Sequence, residues 1–360
     1  MKTRLRTSDR IQRAALAAAV LILAAGPAVV RAQGSMPEKL EPVLGYYAEL
    51  EFDKGIELAS GYLDDPGLTS QDRIAIYSLL SMLTFAKGEQ YMGRSYSYLE
   101  KIAEIGPCVI PLPSDYWPQN LRDRWYRIAR DAGALVCPEP SFAGAGDAPA
   151  GRPRTVAVME FDNFSVGKYQ EKLGFLTKGL ADFFEADFAQ VSTLRVVERD
   201  KIAFIRDELM LNKDGLVDQA AAVKIGKLLG AQVMIFGSVV QMDDKQAKMI
   251  VKAVDVETSR ILAFAERDGK PDFFRMQEDM VIEMAEKLEP LLEEEQLKAL
   301  KANGTEDEEA AALYSQGLYY MDSYQYARAY DYFKQAYDRD ASFVEAKRKM
   351  DVYRPLALAG

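Results

Sequence analysis

"GAQVMIFGSVVQMDDKQAKMIVKAVDVETSRIL", Gly230 to Leu262, decides the fold of this chain. Val233 to Val240 is a run of β-branched and apolar residues, and a short polar bend follows it. Met249 to Asp255 comes next, then a second turn into Arg260 to Ala265. Strand-length apolar runs joined by short polar bends predict paired antiparallel strands. Working outward, "TVAVMEF" (Thr155–Phe161) and "LRVVER" (from Leu194) are two more strands. Between them, "YQEKLGFLTKGLADFFEADFAQ" sets Leu173, Leu176, Leu180, Phe183 and Phe184 at helical spacing. "DKIAFIRDELML" reads as a helix with Asp200 placed to cap it, and "VDQAAAVKIGKLLG" as another that closes at Gly230. A long helix from about Pro271 to Lys301 ends the unit. Strand, helix, strand, two helices, three strands, helix is the order of an α/β sandwich with a mixed sheet, over residues 155–301.

Helices flank this unit on both sides. Residues 36–136 read as tetratricopeptide-like helical hairpins of degenerate consensus, with Leu44, Tyr47, Leu50 and Phe52 at the start and "SQDRIAIYSLLSMLTFAKG" running from a Ser70 cap to Gly88. Trp117 and Trp125 are expected to pack these helices. Residues 137–154, "CPEPSFAGAGDAPAGRPR", are rich in Pro, Gly and Ala without periodicity and read as a linker. Residues 306–353 set Leu313, Gly317, Tyr320, Ala329, Phe333 and Ala336 at the spacing of one tetratricopeptide unit, with Ala341 where the consensus has Pro. Gly317 and Ala329 mark the close approach of its two helices. A lone repeat cannot bury its own face, so it must pack on the preceding helix, on the N-terminal helices or on another chain.

Composition bounds the chemistry. The formal net charge is −10 over 360 residues, although the first 32 residues carry six Lys or Arg against one Asp. A basic leader, an Ala-rich apolar run broken by Gly26-Pro27, and small residues Val30 and Ala32 read as an export signal over residues 1–32. An uncleaved anchor is the alternative. The acidic remainder is a poor partner for nucleic acid, whose phosphates need clustered Lys and Arg. The chain has no His, which removes His-based triads, His-ligated zinc and His general bases. Its two cysteines, Cys108 and Cys137, are a candidate disulfide in an oxidising compartment, or else two buried thiols. "AAVKIGKL" (Ala221–Leu228) is a poor phosphate loop: Ala221 replaces the first Gly and Leu228 stands where Ser or Thr would bind magnesium. Asp243-Asp244 and Glu293–Glu295 read as solvated carboxylates. No cofactor, metal or catalytic residue is predicted.

The blocks "TVAVMEFDN", "LGFLTKGLADFF", "LRVVERDKIAFIRDELML", "AAAVKIGKLLGAQVMIFGSV" and "VKAVDVETSRIL" together resemble the periplasmic domain of curli-secretion (CsgG-like) proteins, over about Thr155 to Leu288. The resemblance implies a CsgG/TolB-N-like mixed sheet flanked by helices, placed on the periplasmic side of the outer membrane. It extends to the amino-terminal domain of TolB, to flagellar FlgO-like proteins and to lipoprotein activators of peptidoglycan synthases, most of them non-enzymatic. In the curli pore, membrane hairpins are inserted between the "GS" and "VDV" blocks and after the "IL" block. A membrane strand needs roughly 9–11 residues. Here Gln241 to Lys248 supplies eight, four of them charged, and "AFAERDGKPDFF" is similarly short. No lipid-acceptor cysteine follows the leader.

The expected function is therefore a non-enzymatic periplasmic scaffold or adaptor, peripheral to the outer membrane. Its expected partners are envelope proteins or peptides held by the helical repeats, or further copies of itself. A subunit of a curli-type secretion pore and an Asp/Glu-dependent hydrolase of envelope polymers are the other readings. Among the tyrosines of the last repeat, Tyr319, Tyr324, Tyr326 and Tyr330 are the candidates for an exposed partner-binding face.

Overall fold

The computed structural model describes residues 38–106, 117–133, 154–191, 193–208, 219–289, 300, 305 and 307–359. The export signal, most of the linker, and both Cys108 and Cys137 lie outside these residues. Two compact units divide at Trp117/Pro118.

The first unit is helical: α1 (Glu41–Ala48), α2 (Phe52–Tyr62), α3 (Ser70–Ala86) and α4 (Met92–Ile105). Leu79, Leu80, Leu83, Leu99 and Ile102 are fully buried in it. The cap of α3 is Thr69 and not Ser70. Thr69 Oγ1 accepts the Asp72 N–H at 3.1 Å, while Asp72 Oδ2 accepts the Thr69 N–H at 3.0 Å. This reciprocal box satisfies two donors where Ser70 would satisfy one. Gly55 lets α2 approach α3, since a Cβ there would lie 3.0 Å from Leu83. Leu50 stands at φ 63° in the turn between α1 and α2 and is exposed. Trp117 Nε1 donates to the Ser78 carbonyl at 3.2 Å, inside this unit as expected. Trp125 does not join it: α5 (Gln119–Asp131) belongs to the second unit.

The second unit is built on a six-stranded mixed sheet. Its strands are β1 (Arg154–Val158), β2 (Asp162–Asn163), β3 (Leu194–Val197), β4 (Val233–Gln241), β5 (Ala247–Asp255) and β6 (Ile261–Gly269). The order is β3-β1-β4-β5-β6, with β2 also beside β4. β1 runs parallel to both neighbours, and β4, β5 and β6 form the antiparallel meander that Gly230–Leu262 predicts. The short β2 is an addition: after Phe161 the chain rejoins β4 further along its length.

Four helices lie between the strands: α6 (Lys168–Leu173), α7 (Leu176–Phe188), α8 (Arg199–Glu208) and α9 (Gln219–Leu229). α10 (Phe273–Leu288) follows β6. Asp200 falls inside α8, which starts two residues earlier than a cap at Asp200 requires. α10 ends at Leu288, short of Lys301. Glu289, at φ −131° and ψ 79°, precedes Pro290, whose ring disfavours helix at the residue before it.

One face of the sheet is sealed. Val156, Val158, Val233, Ile235, Met249 and Val251 are buried there, and α7 and α10 pack on it. The predicted stripe of α7 (Leu176, Leu180, Phe183, Phe184) is buried in the same core. A third layer follows: α11 (Glu308–Asp322), α12 (Tyr326–Arg339) and α13 (Val344–Ala359). α11 lies on α7, and Gly179 is where they meet, because a Cβ there would sit 1.9 Å from Ser315 Oγ. α11 and α12 form a hairpin turned at Tyr324, φ 57°. Gly317 fits beneath Phe333, where a Cβ would lie 2.5 Å from the ring.

Candidate functional site

Of the four tyrosines chosen from the sequence, Tyr319 and Tyr324 are exposed, at 40% and 47%. Tyr330 is half-buried against the core. Tyr326 is turned inward: its hydroxyl meets Asn120 at the start of α5, accepting the Asn120 N–H at 3.2 Å, and burial raises its phenol pKa. The four do not form one free face. Tyr319 instead joins a chain of rings, Phe175–Tyr319–Tyr320–Tyr332, with centroids 5.0, 5.4 and 5.2 Å apart.

Behind these rings lies a buried ionic seam that the sequence did not signal. Arg199, at the start of α8, donates through both terminal nitrogens to Asp322, the last residue of α11, each at 2.9 Å. Lys178 of α7 adds a third donor to Asp322 at 2.8 Å. Arg199 also lies 3.8 Å from Asp182, which accepts the Tyr314 hydroxyl at 2.7 Å. Arg122 of α5 donates to the Tyr353 hydroxyl of α13 at 3.1 Å. Burial alone would push the Asp322 carboxyl up; Arg199 and Lys178 reverse this and hold it well below the usual carboxylate range. Glu185 accepts the Arg199 N–H at 2.9 Å, yet burial and the nearby Asp182 charge push its carboxyl up to about 8. Asp187 is pushed up to about 8 by burial, against the opposing donor Gln277 Nε2 at 2.7 Å. The charges of the seam are aimed at one another, an arrangement that joins helices. Among the described residues no three His, Cys, Asp or Glu side chains are grouped to hold a metal, and no helix is long and apolar enough to cross a membrane.

The surface with the most unspent contact area is the other face of the sheet. α9 covers one end of it, with Gly226 seated on Met234 and Val256. Beyond α9 the ladder sets side chains in rows: Phe236–Lys252–Phe264, then Ser238–Ile250–Glu266, then Val240–Lys248–Asp268. All nine are half-buried or exposed, and all but Asp268 alternate with buried residues of the sealed face. The Ser238 row ends at Asp162 on β2, and beyond it the margin is apolar. The Phe164 N–H donates to Val239 O at 2.9 Å, and Phe164, Val166 and Met242 are 47%, 56% and 65% exposed. Scattered exposed apolar residues are ordinary, but a contiguous set on one sheet face marks a contact surface.

The turns that frame this face are short. Met242–Gln246 joins β4 to β5, held by Asp243 Oδ1, which accepts the N–H groups of Lys245 and Gln246 at 2.8 and 2.9 Å. Val256–Arg260 joins β5 to β6, and Lys270–Asp272 joins β6 to α10. The strand expected over Arg260 to Ala265 runs on to Gly269, paired to β5 along its length.

Residues 142–250 match the family described as "Curli production assembly/transport component CsgG". This stretch is similar to a CsgG domain. The match covers less than a third of the chain. No curated protein matches. Among solved structures, the LpoB C-terminal domain from Escherichia coli is similar at 17% identity and TM-score 0.25, over 34% of this chain and 85% of that one. The same domain from Salmonella enterica gives 16% and 0.24, over 33% and 83%. Lipoprotein GNA1162 from Neisseria meningitidis gives 14% and 0.27, over 39% and 100%.

The matched stretch takes in β1 to β4 and the start of β5, so the open face is shared between the CsgG domain and the strands after it. Its signal was present in the alternation of "AKMIVKAVD". Met249, Val251 and Ala253 go inward, and Lys248, Ile250 and Lys252 go outward. An Ile among lysines on the outer register is the trace of a contact surface; the lysines made it read as solvated.

Proposed function

We propose that this protein is a non-enzymatic scaffold of the cell envelope, acting on the periplasmic side of the outer membrane through surfaces of its CsgG domain and C-terminal helices. The observation that carries the reading is the meander β4-β5-β6. At the positions where the curli pore of the resembled family inserts its membrane hairpins, this chain has a five-residue bend and a three-residue connection. A membrane-crossing hairpin needs two strands of roughly 9–11 residues. What the meander presents instead is the mixed apolar and charged face on β4, β5 and β6. The match of residues 142–250 and the basic, Ala-rich leader support envelope placement. The ionic seam suits a platform role, because it ties α11 to α7 and α8, and α13 to α5.

The test is fractionation of cells expressing the full chain, followed by an alkaline wash of the membrane pellet and crosslinking in intact envelopes. A scaffold comes off in the periplasmic fraction or the wash and crosslinks to envelope proteins. Release only by detergent, with conductance in planar bilayers, would replace this reading with a pore subunit. A cytosolic location of the mature chain would end it.

A further inference from the structure

We infer that the open face of the β4-β5-β6 meander binds the same face of a second copy, forming a two-fold dimer with sheets stacked face to face. A two-fold contact must be self-complementary, each patch meeting itself after rotation. The charges on this face have that property. Its basic residues, Lys248 and Lys252, stand on β5, and its acidic residues, Glu266 and Asp268, stand opposite on β6. Rotation about an axis parallel to the strands and midway between β5 and β6 lays the basic column of each copy over the acidic column of the other. The rows are preserved, so Lys248 comes to Asp268, and Lys252 reaches Glu266 one row along. Ile250 and Phe264 are buried at the centre.

Two further observations favour a second copy over other occupants. Lys248 lies 2.7 Å from Glu266 and 3.7 Å from Asp268 of its own chain, so the basic and acidic columns already meet within one copy and a second copy adds the same pairing across the face. Among the described residues no carboxylate pairs with Lys252, which stands between Phe236 and Phe264 and is only half-buried. A face with this cation held between two phenylalanines suits a partner that brings carboxylates at the spacing of Glu266 and Asp268. Strand addition at the edge is the competing mode, and it is obstructed. The outward Phe264 carbonyl of β6 accepts from Lys287 Nζ at 2.6 Å, and the Glu266 carbonyl accepts from Arg267 at 3.0 Å. The inference does not depend on where in the cell the chain acts.

The experiment is sedimentation equilibrium on the purified full chain across a concentration and salt series. The expected result is a monomer–dimer equilibrium that weakens as salt rises. Phe264→Ser, a change at an exposed position, should leave the melting curve in place and shift the equilibrium to monomer. Lys248→Asp should weaken the dimer by about tenfold or more, and Lys248→Asp combined with Asp268→Lys should restore it, because the swapped columns are still complementary. A chain that stays monomeric at all concentrations overturns the inference. So does any oligomer that is indifferent to Phe264→Ser, or a double swap that fails to rescue while its fold is intact.

Discussion

The N-terminal helices and the C-terminal hairpin are both all-helical, and they are held by different forces. In α3 and α4 the polar contribution is small and neutral. Ser81 Oγ donates to the Ser95 carbonyl at 3.0 Å, and Ser95 Oγ returns the bond to Ser81 at 2.7 Å, amid a core of leucines. At the end of α11, a fully formed cationic fork grips a carboxylate that burial would otherwise neutralise. Apolar packing degrades gradually as atoms are removed. A buried ion pair fails abruptly, because deleting one partner strands the other without solvent. The first kind of helix pair is robust and indifferent to pH; the second is specific in register and exposed to both charge loss and titration.

The sharpest way to break the comparison is Arg199→Met. It leaves Asp322 and Asp182 half-buried without their shared guanidinium, and should cost about 3 kcal/mol in denaturant titration. Hydrogen exchange should show protection lost over α7, α8 and α11 while α1–α4 keep theirs. Uniform loss in both units would mean that the two regions fold as one.

A smaller effect separates them by pH. Asp187 titrates at about 8 in the fold, against 3.8 for an unperturbed carboxyl. The native state therefore holds a proton that the unfolded chain has released, so this contribution is present below about pH 4 and is lost as the pH rises towards 8. Glu185, also raised to about 8, slopes the same way. Asp187→Asn should flatten the decline between pH 5 and 7 by roughly 1 kcal/mol per pH unit, read from unfolding midpoints at several pH values. An unchanged slope would place the proton elsewhere.

Smallest is Thr69→Ala, which removes the α3 capping box and should cost about 1 kcal/mol with no pH dependence above the carboxylate range. A larger loss would show that α3 depends on its end and less on its leucines.

Much of the fold was legible before the structure because period and punctuation agree. The meander, the α7 stripe and the Gly317–Phe333 contact all sit where local spacing puts them. What was not legible depends on residues distant in sequence. Arg199 and Asp322 are 123 residues apart, and nothing in "VVERDK" distinguishes a buried Arg from a solvated one. The tyrosines failed in a similar way. Tyr326 and Tyr324 share a turn, but α5 arrives from far upstream to cover the first and meets the exposed second at its hydroxyl, which donates to Asp123. Helix ends erred where two capping residues stood side by side, as at Thr69-Ser70, or where a proline was passed over, as at Glu289-Pro290.

The two cations that occupy the outward carbonyls of β6 have a consequence for how large any assembly can grow. An unprotected nine-residue edge offers a template whose product presents the same template again, so growth has no natural end and runs to fibres. With Phe264 and Glu266 already accepting from Lys287 and Arg267, that route is closed along the middle of the strand. Contacts through the broad face, by contrast, use themselves up on pairing. The chain is thereby steered away from open-ended strand addition at β6.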